Sequence, residues 1–428
     1  MKPTLRLGAV ALVAACWLSA GSRPFVDALA GISHPADLAR DYVTARARLE
    51  EGRGPSPDGE DGNRRAARYG APEVALYGAP YYVHPPTATL AVLPLGGLPF
   101  GAAALVWAAA SVVALGWLAL SLFGIWRPDA PPKATHVALL MLGLAAWPPT
   151  LYCLEKGQWS IWVAALLAAG FRAFEAKRPR GAGALFGIAA TLKVTPAVLI
   201  GFLLMRSRRA AAAMLAVTGC AALASLAILG PGAWRQLFAG SASNAAIWAP
   251  WLGNTASLDG IFARLLTSNP FTQPLVAAPA LSRAAFGLSA LALLAAAIWR
   301  TQRRRGAPGS DARLLAGWLT LPVLLNPLGW SHVVLLLLAP LTVLARDGSP
   351  RSRIVAGLLF SILTIPRQRL ADWAGPIPLP APAGLILGVH AMAAVALYAV
   401  LLADLSGPDR HSDRWRSPDQ VSAPLPSA

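Results

Sequence analysis

Charge is scarce in this chain. Only 13% of its 428 residues are charged, about half the share found in soluble domains. With 56% hydrophobic residues and a mean hydropathy of +0.52, that deficit excludes an ordinary water-soluble fold and predicts an all-α, polytopic membrane protein. Cysteine is nearly absent. Cys16, Cys153 and Cys220 sit in apolar surroundings, which excludes a disulfide framework and a paired-thiol metal site. There is no P-loop, dinucleotide fingerprint, HExxH or GxSxG, and no Asp/Glu cluster of the kind that holds a metal. The net charge of +17 does not point to nucleic acid, because the basic runs lack interleaved stacking aromatics. They read instead as loop residues that orient membrane spans.

A helix that crosses a bilayer needs roughly 20 apolar residues. Runs near that length are 5–22, 101–126, 210–230, 275–299 and 381–403. Shorter runs are 137–151, 158–174, 181–194, 196–205, 313–325, 333–345 and 354–366. Short or broken helices are tolerated at membrane depth where they line a cavity. Counting every run gives about 12 transmembrane or partial helices in one domain, residues 1–404, with 405–428 a disordered cytoplasmic tail. The parity of 181–205 is the joint on which this alternation turns. The N-terminus resembles a signal peptide, with Lys2 and Arg6 before Leu7–Ala20 and a lipoprotein-like box ending at Cys16, and is expected to stay as an uncleaved first helix.

With the N-terminus inside, one set of loops collects Arg172, Lys177, Arg178, Arg180, Arg206, Arg208, Arg209, Arg300, Arg303, Arg304, Arg305, Arg313, Arg346, Arg351 and Arg353. The other holds Lys156, Arg235, Arg264, Arg367 and Arg369. This asymmetry makes the first set cytoplasmic and places residues 22–86 outside, as a long first loop. Within it Leu38, Tyr42, Ala45 and Leu49 recur at helical spacing. Ser33 and Pro35 mark a start and Gly52 a stop, so an amphipathic helix over about 34–52 is expected to lie on the membrane surface. Pro55–Ala71, rich in Gly, Pro, Asp and Arg, reads as flexible. Residues 84–100 read as a short helix leading into the 101–126 span.

Ionisable and polar residues in or beside apolar spans are expensive there and are functional candidates. Glu155, Lys156, Gln158, Lys193, Asp259, Arg264 and His332 all fall near the outer ends of helices. Arg40, Asp41 and His84 come from the outer loop, so all converge on one side. Several also have plain structural readings. Lys193 can snorkel to the interface. Asp259 and Arg264 can form a local pair or a helix-terminal charge. His332, beside Trp330, can belong to an aromatic belt. His84 can be a turn residue, and Asp37 can serve the helix dipole. Asp41, one turn beyond Asp37, has less structural reason for its place and is the candidate general base.

The order of motifs resembles glycosyltransferase family 87 of the GT-C superfamily, whose members include bacterial polyprenyl-phosphate-mannose-dependent mannosyltransferases. Asp41-Tyr42 followed by Ala45, Leu49 and Gly52 is similar to the family's first-loop motif. YVHPPTATLAVLP, from Tyr82 to Pro94, resembles its tyrosine and proline-proline segment. Gly157-Gln158 resembles its helix-opening Gly-Gln. Lys193-Val194-Thr195-Pro196 resembles a Lys-Pro-x-Pro with valine at the first proline. NTASLDGIFAR, Asn254–Arg264, resembles its Asn-x-x-Ser-Leu segment. NPLGWSH, Asn326–His332, resembles a Ser-Pro-x-x-Trp-x-His with asparagine in place of serine.

The resemblance implies an inverting hexosyltransferase that takes a sugar, mannose by preference, from a polyprenyl phosphate. The acceptor would be a lipid or glycan at the outer face of the bacterial cytoplasmic membrane, and no cofactor or metal is implied. Asp41 would be the base. His332, Lys193 and Arg264 would hold the donor phosphate, and Tyr42, His84, Gln158, Asn254 and Ser257 would bind sugar or acceptor. A transporter or flippase of lipid-linked sugars could use the same basic pocket without chemistry, but would have no need of the Asp41 carboxylate.

Overall fold

Proline and glycine punctuate the chain. Pro86, Pro148, Pro179, Pro231, Pro279 and Pro350 stand in the first turns of their helices, where the missing N–H costs nothing and φ is already set. The computed structural model describes residues 23–32, 34–52, 54, 59–73, 84–304, 310–347 and 349–403. The expected first span, Ser33, Pro55 and the C-terminal tail lie outside those residues. Among the described residues the chain is helical and without strands, apart from a lone parallel bridge between Thr272 and Leu379.

Among the described residues, three helices are long and apolar enough to cross a membrane: Phe100–Trp126, Arg208–Leu229 and Pro279–Arg303. The number rises to five if two bent pairs each count once. One pair, Ala134–Ala145 with Pro148–Lys156, bends by 69°; the other, Pro350–Thr364 with Arg367–Ala374, bends by 77°. The long helices leave Leu105, Val113, Leu223, Leu288 and Leu291 exposed. A helix apolar all round and uncovered by protein calls for lipid around it. The expected all-helical architecture with several apolar helices therefore holds. The 381–403 run is two helices, Ala381–Ile386 and Val389–Ala403. Helices Pro231–Trp248, Leu258–Leu266 and Arg367–Ala374 occupy stretches where no apolar run announced them.

The 181–205 stretch forms a hairpin. Pro179–Leu192 ends at Lys193, which meets Ser160 and His332. Thr195–Val198 then starts a 3₁₀ turn that continues as Leu199–Arg206. Arg206 reaches Asp311 at 3.2 Å and the Arg304 carbonyl at 3.0 Å. Further ties gather at that arginine-rich end: Arg346 binds Glu175 and the Ile125 carbonyl, and Arg313 binds the Asp347 carbonyl. The pair of helices thus runs up and back. The returning limb, Thr195–Arg206, is about 18 Å long at 1.5 Å per residue, shorter than a bilayer core. Pro179–Leu192 packs closely on Arg208–Leu229 because Gly183 and Gly187 present no Cβ; one added at Gly183 would lie 2.0 Å from the Ala210 carbonyl oxygen.

Two expectations for the first loop change. The amphipathic helix is present as Ala36–Glu51 with Gly52 as its left-handed C-cap. It is sunk into protein rather than laid on a surface, with Leu38, Ala39, Tyr42, Val43, Ala45 and Ala47 buried and Leu49 exposed. The stretch read as flexible carries a helix, Gly59–Arg68. Its charges pair along the helix, Glu60 and Asp61 with Arg64, and Asp61 with Arg65 at 3.1 Å, which supports helix over coil. Glu51 clasps it from outside, meeting Arg65, Arg68 and the Tyr69 hydroxyl. Burial and that carboxylate push the Tyr69 phenol up to about 12.

Candidate functional site

The buried Ala36–Glu51 helix presents two carboxylates one turn apart. Asp41 is 1% exposed, a costly state for a carboxylate unless hydrogen bonds replace water. Three donors supply them from three segments. His84 Nδ1 lies 2.8 Å from Asp41 Oδ2, Trp159 Nε1 donates to the same oxygen at 3.0 Å, and Thr89 Oγ1 donates to Oδ1 at 3.2 Å. A carboxylate has about four lone-pair sites, so Oδ1 keeps one for a further donor. Asp37 meets Gln158 Nε2 at 2.6 Å and Arg40 at 3.4 Å.

Gly157 makes this registration possible. Pro148–Lys156 ends at Gly157 with φ +68°, a conformation that disfavours a Cβ. An added Cβ would also lie 2.7 Å from Pro35 Cβ and 2.8 Å from Leu38 Cβ. The bare glycine lets the chain pass against the entrance of the Ala36–Glu51 helix. The next two residues, Gln158 and Trp159, then reach Asp37 and Asp41. Trp159 is fixed in turn by an edge-on contact with Trp107, centroids 4.4 Å apart.

A cationic group stands beside this one. Lys193 Nζ donates to Ser160 Oγ at 2.9 Å and lies 3.4 Å from His332 Nε2. His332 is 2% exposed, its Nδ1 has no partner among the described residues, and its ring lies 5.7 Å from that of Tyr152. Ser160 opens the helix that directly follows Trp159, so the aspartate and lysine–histidine groups are joined through adjacent residues.

Arg264, Asn254 and Ser257 form a second tier. Arg264 is fully buried and donates to the carbonyls of Gly384, Trp251 and Asn254. Asn254 Nδ2 bonds the Ala249 and Pro327 carbonyls. Ser257 Oγ bonds those of Asn326 and Pro327 and caps Leu258–Leu266. The Ala256 amide donates to Gly329 at 2.7 Å. The Asn254, Ser257 and Ala256 contacts grip the loop Asn326–Trp330, which delivers His332, and Arg264 holds Asn254 through its carbonyl.

The structure therefore brings together Asp41, His84, Gln158, Lys193 and His332. Tyr42 lies on the same helix but is buried, with its hydroxyl on the Leu98 carbonyl at 2.7 Å. Arg264, Asn254 and Ser257 have their side chains turned to backbone. Sequence reasoning missed Thr89, Tyr152, Trp159 and Ser160. Trp159 directly follows the Gly157-Gln158 motif, and Thr89 sits in the Pro-Pro segment, so adjacency was the available signal.

Comparison with known proteins falls on the same region. A sequence model of Glycosyltransferase family 87 matches residues 82–327, which includes His84, Gln158 and Lys193 and stops short of Asp41 and His332. Among curated proteins, the chain is 29% identical over 290 residues to a polyprenol-phosphate-mannose-dependent alpha-(1-2)-phosphatidylinositol pentamannoside mannosyltransferase of Mycobacterium tuberculosis. The match covers 66% of this chain and 63% of that relative's length. No solved structure matches.

Proposed function

The chain belongs to glycosyltransferase family 87, and from that premise we propose that it transfers a hexose, mannose by preference, from a polyprenyl phosphate to a lipid or glycan acceptor. We place the reaction at the outer face of the cytoplasmic membrane of a bacterium. The relative's named donor and its mannosyl chemistry support the sugar. The arginine-rich helix ends opposite the site support the sidedness through the positive-inside rule.

One observation carries the reading: a carboxylate buried among three donors, with one lone pair left, beside a lysine–histidine pair. In an inverting transfer a base takes the proton of an acceptor hydroxyl as its oxygen attacks the anomeric carbon. The transition state is oxocarbenium-like, as in glycoside hydrolysis. Asp41 Oδ1 would receive that proton. His84, Trp159 and Thr89 hold the carboxylate in one orientation, which fixes the line of attack. The leaving group is a lipid phosphate that already carries negative charge, so cations rather than a strong acid must stabilise it. Lys193 would supply the cation toward that phosphate, and the neutral His332 ring would donate a hydrogen bond to it. Arg264, Asn254 and Ser257 would act through the loop that sets His332, and Gln158 would reach sugar hydroxyls beside Asp37.

The test is transfer of labelled mannose from synthetic polyprenyl-phosphate mannose by protein reconstituted in vesicles. A new glycosidic product supports the reading. Movement of donor across the bilayer without product would make the protein a flippase.

A further inference from the structure

The two bent helix pairs meet at their corners. Trp147, at the first bend, donates its indole N–H to Thr364 Oγ1 at 3.0 Å and stacks on Phe360 at 5.3 Å. Thr364 ends the helix before the second bend. The pinned corners leave a narrow cleft between them, partly open to solvent and walled by Pro149 and Pro366. The segments beyond each bend line it, with Tyr152 and Glu155 from one and Arg367 and Gln368 from the other; Ser331 closes the floor.

The polar groups here are incompletely used. Ser331 is 5% exposed, and among the described residues neither its Oγ nor the buried Arg367 Nε has a partner. A buried polar atom left unpaired calls for an explanation. Glu155, with 14% of its side chain exposed, pairs with its neighbour Lys156 at 2.7 Å. The Arg367 guanidinium lies over the Tyr152 ring, 4.2 Å from its centroid. The cleft adjoins the proposed reaction centre, since Ser331 precedes His332 and Tyr152 lies against it.

The geometry points to this cleft as the subsite for the sugar ring of the acceptor. The inference rests on the glycosyltransferase reading above and assigns its acceptor to a place. The lining mixes a carboxylate acceptor, a guanidinium, a primary amide, a hydroxyl and an aromatic ring. A neutral polyol needs that combination, because each sugar hydroxyl both donates and accepts. A phosphate fits poorly, because the Glu155 carboxylate would repel it. Glu155 would accept from one ring hydroxyl and Arg367 donate to the next, while Ser331 Oγ gains the partner it lacks.

Octyl α-mannopyranoside, octyl glucopyranoside and octyl galactopyranoside serve as acceptor probes, with full-length protein in detergent. Calorimetric titration without donor reads binding, and turnover with polyprenyl-phosphate mannose reads KM and kcat. Glu155→Gln and Arg367→Gln should each weaken binding of the preferred glycoside about tenfold or more and raise acceptor KM equally, with donor KM unchanged. Ser331→Ala should do so more mildly, and Arg367→Lys should restore part of the loss with an unshifted melting temperature. A rise in donor KM with acceptor KM unchanged would assign the cleft to the lipid phosphate and overturn the inference. So would wild-type protein that binds none of the three glycosides, or variants that bind like wild type. Glycoside binding that the variants lose, in a protein that performs no transfer, would sustain the cleft and remove the glycosyltransferase reading instead.

Discussion

Replacing Asp41 with asparagine separates chemistry from architecture. The carboxylate takes two bonds on Oδ2, from His84 and Trp159, and one on Oδ1, from Thr89. An asparagine can place its carbonyl oxygen at the Oδ2 position and still accept from both rings. Its amide then points at Thr89, whose hydroxyl can turn to accept. All three contacts survive, weakened from charge-assisted to neutral, so the cost in stability is about 1–2 kcal/mol in total. The proton acceptor is lost outright, and a positioned general base contributes roughly 10²–10⁴ in rate. Asp41→Asn should therefore fold, bind donor as wild type does, and turn over ~10²–10⁴-fold more slowly. Asp41→Ala differs: it strands the buried His84 and Trp159 donors at about 1–3 kcal/mol each and should fail to accumulate as folded protein. The assay is melting temperature, donor titration and single-turnover transfer on the same purified samples. A folded Asp41→Asn protein within tenfold of wild-type turnover would refute Asp41 as base.

Other consequences can be measured alongside. His332→Ala should weaken donor binding with the fold retained, and unchanged donor affinity would move the phosphate elsewhere. Gly157→Ala should cost about 1–2 kcal/mol for its left-handed backbone alone, plus the contact with Pro35 and Leu38. Indole quenching at Trp159 should change with it, and a wild-type melting curve would contradict the account. Arg264→Ala removes the guanidinium donor to the Gly384, Trp251 and Asn254 carbonyls, of which Trp251 keeps the Asn254 amide, and should destabilise by roughly 2–5 kcal/mol. Arg264→Lys should not rescue it, because one ammonium cannot reproduce the guanidinium's spread of donors. For sidedness, Ala67→Cys on the exposed face of Gly59–Arg68, in a background with the three native cysteines replaced by alanine, should react with an impermeant maleimide on intact cells. Reaction only after lysis would invert the proposed orientation.

What the sequence disclosed follows its physics. The long uninterrupted runs at 101–126 and 210–230 became helices within a few residues, because composition alone decides a helix that lipid surrounds. The 137–151 and 381–403 runs broke, because Trp147-Pro148 and Gly388 set corners that an apolar count does not register. Gly388 packs so closely on Ile261 that a Cβ would lie 2.5 Å away. Pro55–Ala71 misled in the opposite direction. Turn-forming composition suggested coil, while the Glu60–Arg64 and Asp61–Arg65 spacing and the distant Glu51 made a helix. At the site, Asp41, His84, Gln158, Lys193 and His332 were legible as scarce ionisable or polar groups in an apolar chain. Thr89, Trp159 and Ser160 were not, since threonine, tryptophan and serine are ordinary at helix ends. Arg264 looked like its fellow candidates until its three carbonyl partners distinguished it.

The three donors around Asp41 lie 43, 48 and 118 residues further along the chain, and His332 comes later still. During synthesis and insertion, therefore, the carboxylate spends a long interval in an unfinished protein. It cannot be buried favourably until Trp159 has been made, Lys193 follows only after that, and His332, the partner of Lys193, comes last. Reactivity is thus the last property the chain acquires. A product halted early, or one whose helices insert out of order, is left with an unsatisfied buried carboxylate, a costly state without its hydrogen-bond partners.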